Sequence, residues 1–282
     1  MIPSISFRMF AWHIRSLLIF AFVILDASTS AAQVDESRNK PPTVSARSAL
    51  VVDARSGAIL YEKNSNYQQP AASMQKLLTA LVIIRDGDLL RPVTITNSDT
   101  QCEPSKVYLR AGETYSRMAL LEALLVKSGN DCARALARDN AGSHPAFALK
   151  MNQLARSLGA LNSHFINSNG LPAQGQYSCA RDIAIIARTA YRNPVVRRIT
   201  SMRTLAFKRP GRGTVTYKNT NKLLVTFPFC NGLKTGYTDL AGFCLASSGR
   251  SAQRDAIVVV MNCTKAGVWS DSYRLLSWSL GI

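Results

Sequence analysis

The chain of 282 residues is long enough for one or two domains, and its 47% hydrophobic and 18% charged residues permit a packed core. Lys and Arg total 34 against 17 for Asp and Glu, so the formal charge of +17 favours a polyanionic partner: nucleic acid, an anionic membrane or an acidic cell-wall polymer. Three His and six scattered Cys, with neither a CxxC nor an HExxH pattern, argue against a zinc enzyme, and we expect no metal or other cofactor.

Residues 1–32 have the layout of a secretory signal peptide. Arg8 and Arg15 precede the apolar run 17–25, whose nine residues would span roughly 14 Å as a helix, far less than the ~30 Å hydrocarbon core of a bilayer. The small residues at 30–32 then suit signal peptidase. We therefore expect an exported, periplasmic or extracytoplasmic protein that is soluble after cleavage; an uncleaved anchor is the alternative. The mature chain keeps 32 basic and 16 acidic residues, a charge of +16, and export argues against a nucleic-acid partner.

The mature chain reads as a polar linker at 33–46 followed by a single domain at 47–282. Apolar stretches around a Gly-containing turn predict a hairpin over 49–61. Helical periodicity predicts helices at 73–84, 118–126, 131–138, 147–158, 181–191 and 269–280, and apolar runs predict strands at 214–217, 232–235, 242–247 and 256–261. A hairpin, then helices, then strands and a closing helix predict an α/β (α+β) sandwich with a helical insertion.

The six Cys of an exported protein allow 15 complete pairings, among which the sequence cannot choose. Most lie where a small buried side chain would fit, as Cys132 and Cys179 do, so we expect free, buried thiols. The first bridge to test is Cys244 with Cys263, because these residues fall on two strands predicted to be neighbours.

The first pattern that carries chemistry is Ser73-Met74-Gln75-Lys76, at the start of a predicted helix. Residues three apart lie on one helix face, so the hydroxyl and the amine can meet. A serine hydroxyl needs a base to become a nucleophile, and a lysine can be that base when burial and nearby cations lower its pKa. The helix N-terminus would add N–H groups where negative charge develops. Alone, this pattern is more often a capping Ser and an exposed Lys.

Two further triplets follow in the chain. Ser128-Gly129-Asn130 lies between predicted helices, where the hydroxyl could relay a proton and the Asn amide could hold a substrate carbonyl. Lys234-Thr235-Gly236 lies on a predicted strand, where it would offer a cation and a hydroxyl to a carboxylate. Gly236 would leave room for a substrate to approach the backbone. Either triplet alone carries little weight, but all three in this order indicate one site.

With this SxxK, SxN and KTG set, the chain resembles the D-alanyl-D-alanine carboxypeptidase/endopeptidase family, the low-molecular-weight penicillin-binding proteins. The resemblance covers about residues 47–282 and implies a β-lactamase/transpeptidase-like antiparallel sheet flanked by helices plus a helical subdomain. Segments outside the triplets that match the family pattern are 50–53, 57, 70–72, 77–80, 109, 111–113, 131, 169–172, 180–182, 232–233 and 237–238.

The resemblance implies a serine peptidase that cleaves the D-Ala-D-Ala bond of peptidoglycan stem peptides through an acyl-enzyme. Ser73 would attack the peptide carbonyl with Lys76 as general base, and the backbone N–H groups of Ser73 and Tyr237 would form the oxyanion hole. Water would then hydrolyse the acyl-enzyme. A β-lactam mimics this bond, so it should acylate Ser73 and leave slowly.

The resemblance also assigns the remaining motif residues. Ser128 and Lys234 would pass a proton to the departing amine, and Asn130 would position the amide of the acyl side chain. Lys234 and Thr235 would bind the terminal carboxylate beside Gly236.

Several alternatives stay open at this point. A class A β-lactamase needs a glutamate after its second motif, and this chain has none beyond Glu122, so fast β-lactam hydrolysis is not expected. Carboxypeptidase action is favoured over endopeptidase action on cross-links, without a residue that decides it. A non-catalytic penicillin-recognising sensor or wall-binding module is disfavoured by the intact Ser73 and Lys76. An esterase or amidase of the same fold is disfavoured by Thr235 beside Lys234, which suits a free carboxylate.

The positive charge is concentrated between residues 181 and 222. This segment contains eight Arg and three Lys but a single acidic residue, Asp182, which gives it a local charge of +10. This segment could hold the protein near anionic wall polymer or lipid head groups. A merely solvated basic surface explains the composition equally well.

Overall fold

The computed structural model describes residues 40–282, so the expected signal peptide at 1–32 lies outside the described residues. The apolar runs of the sequence form strands of one five-stranded antiparallel sheet, in the spatial order Ile59–Lys63, Ser48–Asp53, Asp255–Cys263, Gly242–Arg250 and Cys230–Thr238. Two small hairpins are separate from this sheet: Pro92–Thr94 with Thr114–Ser116, and Thr204–Arg209 with Gly213–Lys218. The strands are β1 (Ser48–Asp53), β2 (Ile59–Lys63), β3 (Pro92–Thr94), β4 (Thr114–Ser116), β5 (Thr204–Arg209), β6 (Gly213–Lys218), β7 (Cys230–Thr238), β8 (Gly242–Arg250) and β9 (Asp255–Cys263).

Helices cover both faces of this sheet and build a helical group beside β7. A 3₁₀ turn, Ala72–Gln75, leads directly into α1. None of the helices within residues 40–282 is long and apolar enough to cross a bilayer. The helices are α1 (Lys76–Arg85), α2 (Asn97–Thr100), α3 (Arg117–Val126), α4 (Asn130–Ala141), α5 (His144–Leu158), α6 (Ala180–Arg192), α7 (Pro194–Thr200), α8 (Leu223–Thr226) and α9 (Gly267–Leu280).

Strand β9 shows why the sheet is buried on both faces. Residues 256–261 form a continuous apolar run, and all of them are buried. Val259 packs into the cluster formed with α1 and α6, whereas Val258 packs with α9. Since alternate side chains of a strand point to opposite faces, an unbroken apolar run is what a central strand between two helical layers requires. The predicted sandwich with a helical insertion is confirmed.

The predicted hairpin and the six predicted helices are present, with ends displaced by a few residues. The helix expected to start at Ser73 is instead a 3₁₀ turn followed by α1 from Lys76. Gln75 and Lys76 have ψ of −13° and −18°, closer to 3₁₀ than to α-helical values, so the regular α-helix begins only after the turn. The predicted strand 214–217 belongs to β6, which pairs only with the unpredicted β5.

The last residues of the expected linker lie on the domain. Val44 and Ala46 are buried, and the backbone N–H groups of Ser45 and Ala46 donate to Asp271 Oδ2 over 2.9 and 2.8 Å. Lys63 Nζ donates to the Val44 carbonyl over 2.9 Å. The division into 1–32, 33–46 and 47–282 stays a prediction.

The cysteines are free, and five of the six are buried, as expected for thiols that fill the core. The bridge chosen for testing is not formed, although β8 and β9 are neighbours. Cys263 lies opposite Phe243 of β8, so these two side chains point to the same face of the sheet. Cys244, the next residue of β8, points to the opposite face, so the two thiols are on different sides of the sheet. Burial raises the pKa of the Cys244 thiol to about 12.

Candidate active site

The hydroxyl and the amine of the first motif meet at the end of the 3₁₀ turn. Lys76 Nζ lies 2.6 Å from Ser73 Oγ. The same nitrogen donates to Asn130 Oδ1 over 2.7 Å and to the Asn169 carbonyl over 2.6 Å. Although the turn is 3₁₀ rather than α-helical, a spacing of three residues still brings the two side chains together, because side chains at i and i+3 eclipse in that geometry.

The environment of Lys76 favours the uncharged amine. The side chain is completely buried, and this burial, together with the neighbouring Lys234, holds the pKa of Lys76 well below its ordinary value. A neutral amine has two N–H donors and one lone pair. Asn130 Oδ1 and the Asn169 carbonyl accept the two N–H groups, so the lone pair is left for the Ser73 hydroxyl.

The second motif joins two helices at the edge of the same site. Ser128 follows α3 with φ +68°, a left-handed conformation that ends the helix. Asn130 begins α4; its backbone N–H donates to the Ser105 carbonyl and its Nδ2 to the Glu103 carbonyl, over 2.7 and 2.8 Å. These bonds fix the side chain so that its Oδ1 faces Lys76.

A buried carboxylate supports the loop that covers this motif. Asp131 is fully buried and accepts hydrogen bonds from the backbone N–H groups of Val107 and Leu109, with its Oδ2 3.1 and 3.2 Å from them. A carboxylate holding two N–H groups fixes the loop around residues 105–109 against α4. Ser105 therefore stays in place to receive the Asn130 N–H.

The third motif lies on β7, the edge strand nearest the helical group. Lys234 is completely buried, and burial lowers the pKa of its amine to about 7. Its Nζ donates to the Thr235 carbonyl over 3.1 Å, and Thr235 Oγ1 donates to Thr220 Oγ1 over 2.7 Å. A buried lysine, followed on the same strand by a threonine whose hydroxyl borders the groove, suits an anionic ligand group.

Gly236 lines the groove where β7 lies against the turn that carries Ser73. A Cβ on this residue would lie 2.9 Å from the Ala71 carbonyl oxygen and 3.1 Å from Ser73 N. The missing side chain therefore lets β7 approach the turn that carries Ser73, and it is this protein contact that excludes a larger residue. Ser73 and Tyr237, the residue after Gly236, both line the groove.

Residues of all three motifs line one groove of about 490 Å³, whereas Lys76 and Lys234 do not line it but contact the lining residues Ser73 and Thr235. Ser73, Ser128 and Asn130 lie on its helical side, and Thr235 and Tyr237 on its β7 side. The residues of the three motifs therefore form a single cluster. Among residues 40–282, no group of three or more His, Cys, Asp or Glu side chains is arranged to hold a metal ion.

Three residues in or next to the groove were not singled out as site residues from the sequence. Asn169 contributes its backbone carbonyl, which carries no sequence signal of its own beyond the matching segment 169–172. Thr220 lies in an unpredicted loop and contacts Thr235. Trp269, at the start of α9, lines the groove beneath the Lys222 ammonium, which is 5.5 Å from its ring centroid.

Comparisons with known proteins agree with this geometry. The sequence profile described as D-alanyl-D-alanine carboxypeptidase (peptidase S11) matches residues 35–265. The D-alanyl-D-alanine carboxypeptidase DacB2 of Mycobacterium tuberculosis is 33% identical over 247 residues, covering 86% of this chain and 84% of the relative. DacF of Bacillus subtilis is 31% identical over 89% of this chain and 66% of its own length, so this chain spans about two thirds of that relative.

Solved structures show the same fold. A D-alanyl-D-alanine carboxypeptidase of Mycobacterium tuberculosis superposes with a TM-score of 0.81 at 32% identity, over 86% of this chain and 94% of that one. A mutant Streptomyces DD-transpeptidase gives a TM-score of 0.82 at 28% identity, over 86% of this chain and all of that one.

Proposed function

Since the chain belongs to the D-alanyl-D-alanine carboxypeptidase family of serine peptidases, we propose that it hydrolyses the D-Ala-D-Ala bond of peptidoglycan stem peptides through an acyl-enzyme on Ser73. The observation that carries this proposal is the environment of Lys76. A buried amine whose pKa is held well below its ordinary value lies 2.6 Å from the hydroxyl, and its other contacts are to Asn130 Oδ1 and the Asn169 carbonyl.

In the acylation step Ser73 Oγ attacks the peptide carbonyl and its proton passes to Lys76 Nζ. Lysine can accept the proton because its pKa is depressed, and the ammonium that forms keeps its bonds to Asn130 and Asn169. The backbone N–H groups of Ser73 and Tyr237 would stabilise the oxyanion. The close approach of β7 to the 3₁₀ turn at Gly236 supports this assignment.

Breakdown of the tetrahedral intermediate needs a proton on the leaving amine. Ser128 borders the groove and would relay that proton with Lys234. Asn130 would hold the amide of the acyl side chain. Lys234 and Thr235 would bind the carboxylate of the terminal D-alanine, which explains why this lysine is buried with no acidic partner among residues 40–282. Water then cleaves the ester, and a β-lactam would form the same ester and leave slowly.

A terminal carboxylate favours carboxypeptidase over endopeptidase action. The cation and hydroxyl of Lys234 and Thr235 match a free carboxylate next to the scissile bond. In a cross-linked stem peptide the leaving group belongs to a neighbouring stem and is larger than D-alanine, and the same groove would have to admit it.

The test uses purified protein, a fluorescent penicillin and two muropeptides, one ending in D-Ala-D-Ala and one cross-linked. We expect mass spectrometry to find one adduct on Ser73 and released D-alanine, with Ser73→Ala giving neither. Lys76→Ala should stay folded by circular dichroism and lose labelling; normal labelling would refute its role as base. An adduct without cleavage of either muropeptide would instead identify a penicillin-recognising sensor.

We further propose that the mature protein is exported and that the basic segment 181–222 contacts an anionic wall polymer or lipid surface. Several of its cations are exposed, while Arg198 and Arg212 are held by Glu122 and Glu113. The exposed cations are Arg192, Arg197, Arg203, Lys208, Lys218 and Lys222. Binding to purified wall sacculi should weaken steeply with salt, because exposed charges are screened. Salt-insensitive association would count against this contact.

A further inference from the structure

The contact that orients Lys76 comes from a main-chain atom. The Asn169 carbonyl lies 2.6 Å from Lys76 Nζ and 3.4 Å from Ser73 Oγ. The Asn169 side chain is engaged elsewhere, because its Oδ1 accepts the Leu171 N–H over 3.0 Å. What aims this carbonyl must therefore be the conformation of the loop 167–171.

One side chain folds this loop. Asn167 Oδ1 accepts the backbone N–H of Gly170 over 2.8 Å and that of Asn169 over 3.3 Å. Its Nδ2 donates to the Leu171 carbonyl over 2.9 Å. The Asn167 amide thus bonds to three successive residues of the loop and fixes the direction of the carbonyl between them.

Two glutamines tie Asn167 to the catalytic turn. Gln75 Nε2 donates to the Asn167 carbonyl over 2.6 Å, and the Gln75 side chain is almost fully buried. Gln176 Oε1 accepts the Asn167 N–H over 3.1 Å, and its Nε2 donates to the Leu171 carbonyl over 2.9 Å. Gln75 lies between Ser73 and Lys76, so the loop is bonded to the same four residues that carry the hydroxyl and the amine.

We propose that Gln75, Asn167 and Gln176, which we call the amide clamp, are positioning residues that hold the Asn169 carbonyl on Lys76 and so aim its lone pair at Ser73. This inference rests on the proposed function. A lysine side chain has four rotatable bonds, and a carbonyl fixed at one N–H restricts the amine to the productive rotamer.

The charged and titratable groups that face Lys76 are Lys234 on β7, Asp131 and Cys132 on α4, and Cys102 in the loop before α3. None of them belongs to the amide clamp. Altering the clamp therefore changes the hydrogen bonding of the amine and leaves these groups in place.

The test compares wild type with Asn167→Ala and the volume-conserving Gln75→Met, using full-length protein and the rate of Ser73 labelling by a fluorescent penicillin between pH 5 and 10. We expect the plateau rate to fall about 10²-fold. The acidic side of the profile of labelling rate against pH, which we call the acid limb, should also move to lower pH. Losing an oxygen acceptor disfavours the ammonium form of Lys76 and so lowers its pKa. Gln174→Ala, an exposed glutamine of the same loop region, is the matched control and should label as wild type does.

Failure of the proposed function is separately visible, since wild type would then either not label Ser73 or label it without releasing D-alanine from the muropeptide. If wild type labels and both variants keep its rate and its acid limb, the amide clamp has no positioning role. The clamp would have only a structural role if the labelling rate fell in proportion to the loss of folded protein measured by circular dichroism while the acid limb did not move. That result would also overturn the inference.

Discussion

Replacing Lys234 by methionine should stabilise the protein near neutral pH, and the gain should vanish in alkali. Lys234 is completely buried, and burial lowers the pKa of its amine from 10.5 to about 7. The unfolded chain, in which the amine is solvated, binds its proton up to about pH 10.5. Below pH 7 folding must therefore place a charged ammonium in the interior.

The size of this effect follows from the pKa difference. A depression of about 3.5 units corresponds to roughly 5 kcal/mol of lost stability at and below pH 7. Between pH 7 and 10.5 the unfolded state binds one more proton than the folded state, so stability rises with pH by up to about 1.4 kcal/mol per unit. The penalty is complete below pH 7 and absent above pH 10.5. Lys234→Met has similar volume and no proton to bind, so it removes this pH dependence.

The assay is urea unfolding of wild type, Lys234→Met and the exposed control Lys208→Met at half-unit steps from pH 6 to 10. The free-energy difference between wild type and Lys234→Met should be several kcal/mol at pH 6.5 and shrink steadily toward pH 10. Lys208→Met should stay within about 0.5 kcal/mol of wild type throughout. A difference independent of pH would show that Lys234 keeps an ordinary pKa in the folded protein and would refute the reasoning.

Three further predictions concern the groove and its walls. A ligand with a free carboxylate should bind more weakly above pH 7, by up to tenfold per pH unit, as Lys234 loses its proton. An amide-capped analogue measured by the same calorimetry should show no such dependence. Gly170→Ala should lower the free energy of unfolding by at least about 3 kcal/mol, because φ is +87° and the new Cβ would overlap the Ala72 carbonyl oxygen. The control Gly175→Ala, where φ is +76° and the space is open, should lower it by about 1 kcal/mol, as measured by thermal unfolding. Equal losses would contradict the packing argument. Ser128→Gly should relieve the strain of the left-handed backbone at this residue and raise the free energy of unfolding by up to about 1 kcal/mol, whereas Ser128→Ala should not. Both variants should release D-alanine more slowly than wild type. A Ser128→Gly enzyme that releases it faster would exclude a role for the hydroxyl.

Much of the architecture is encoded within short windows of sequence. Residues 256–261 are all apolar, as in a strand buried on both faces, and the apolar residues of 147–158 and 181–191 recur with the period of an α-helix. Each of these elements could therefore be identified without its neighbours. The motif residues could likewise be grouped into one site from their chemistry and order. Short elements such as Pro92–Thr94 and Pro194–Thr200 carry too few residues for a periodic signal.

From the sequence alone, the motifs predict which side chains form the candidate site (Ser73, Lys76, Asn130 and Lys234 among them), and local periodicity predicts most elements of the fold. The pKa shifts of the two lysines and the packing around the motifs could be read only from the folded chain. The depressed pKa values of Lys76 and Lys234 come from complete burial, which depends on contacts with residues far away in the chain. The Asn169 carbonyl is a group that every residue carries, so only the folded loop could select it, and Gly236 is required by a backbone approach that exists only once β7 and the 3₁₀ turn have packed together.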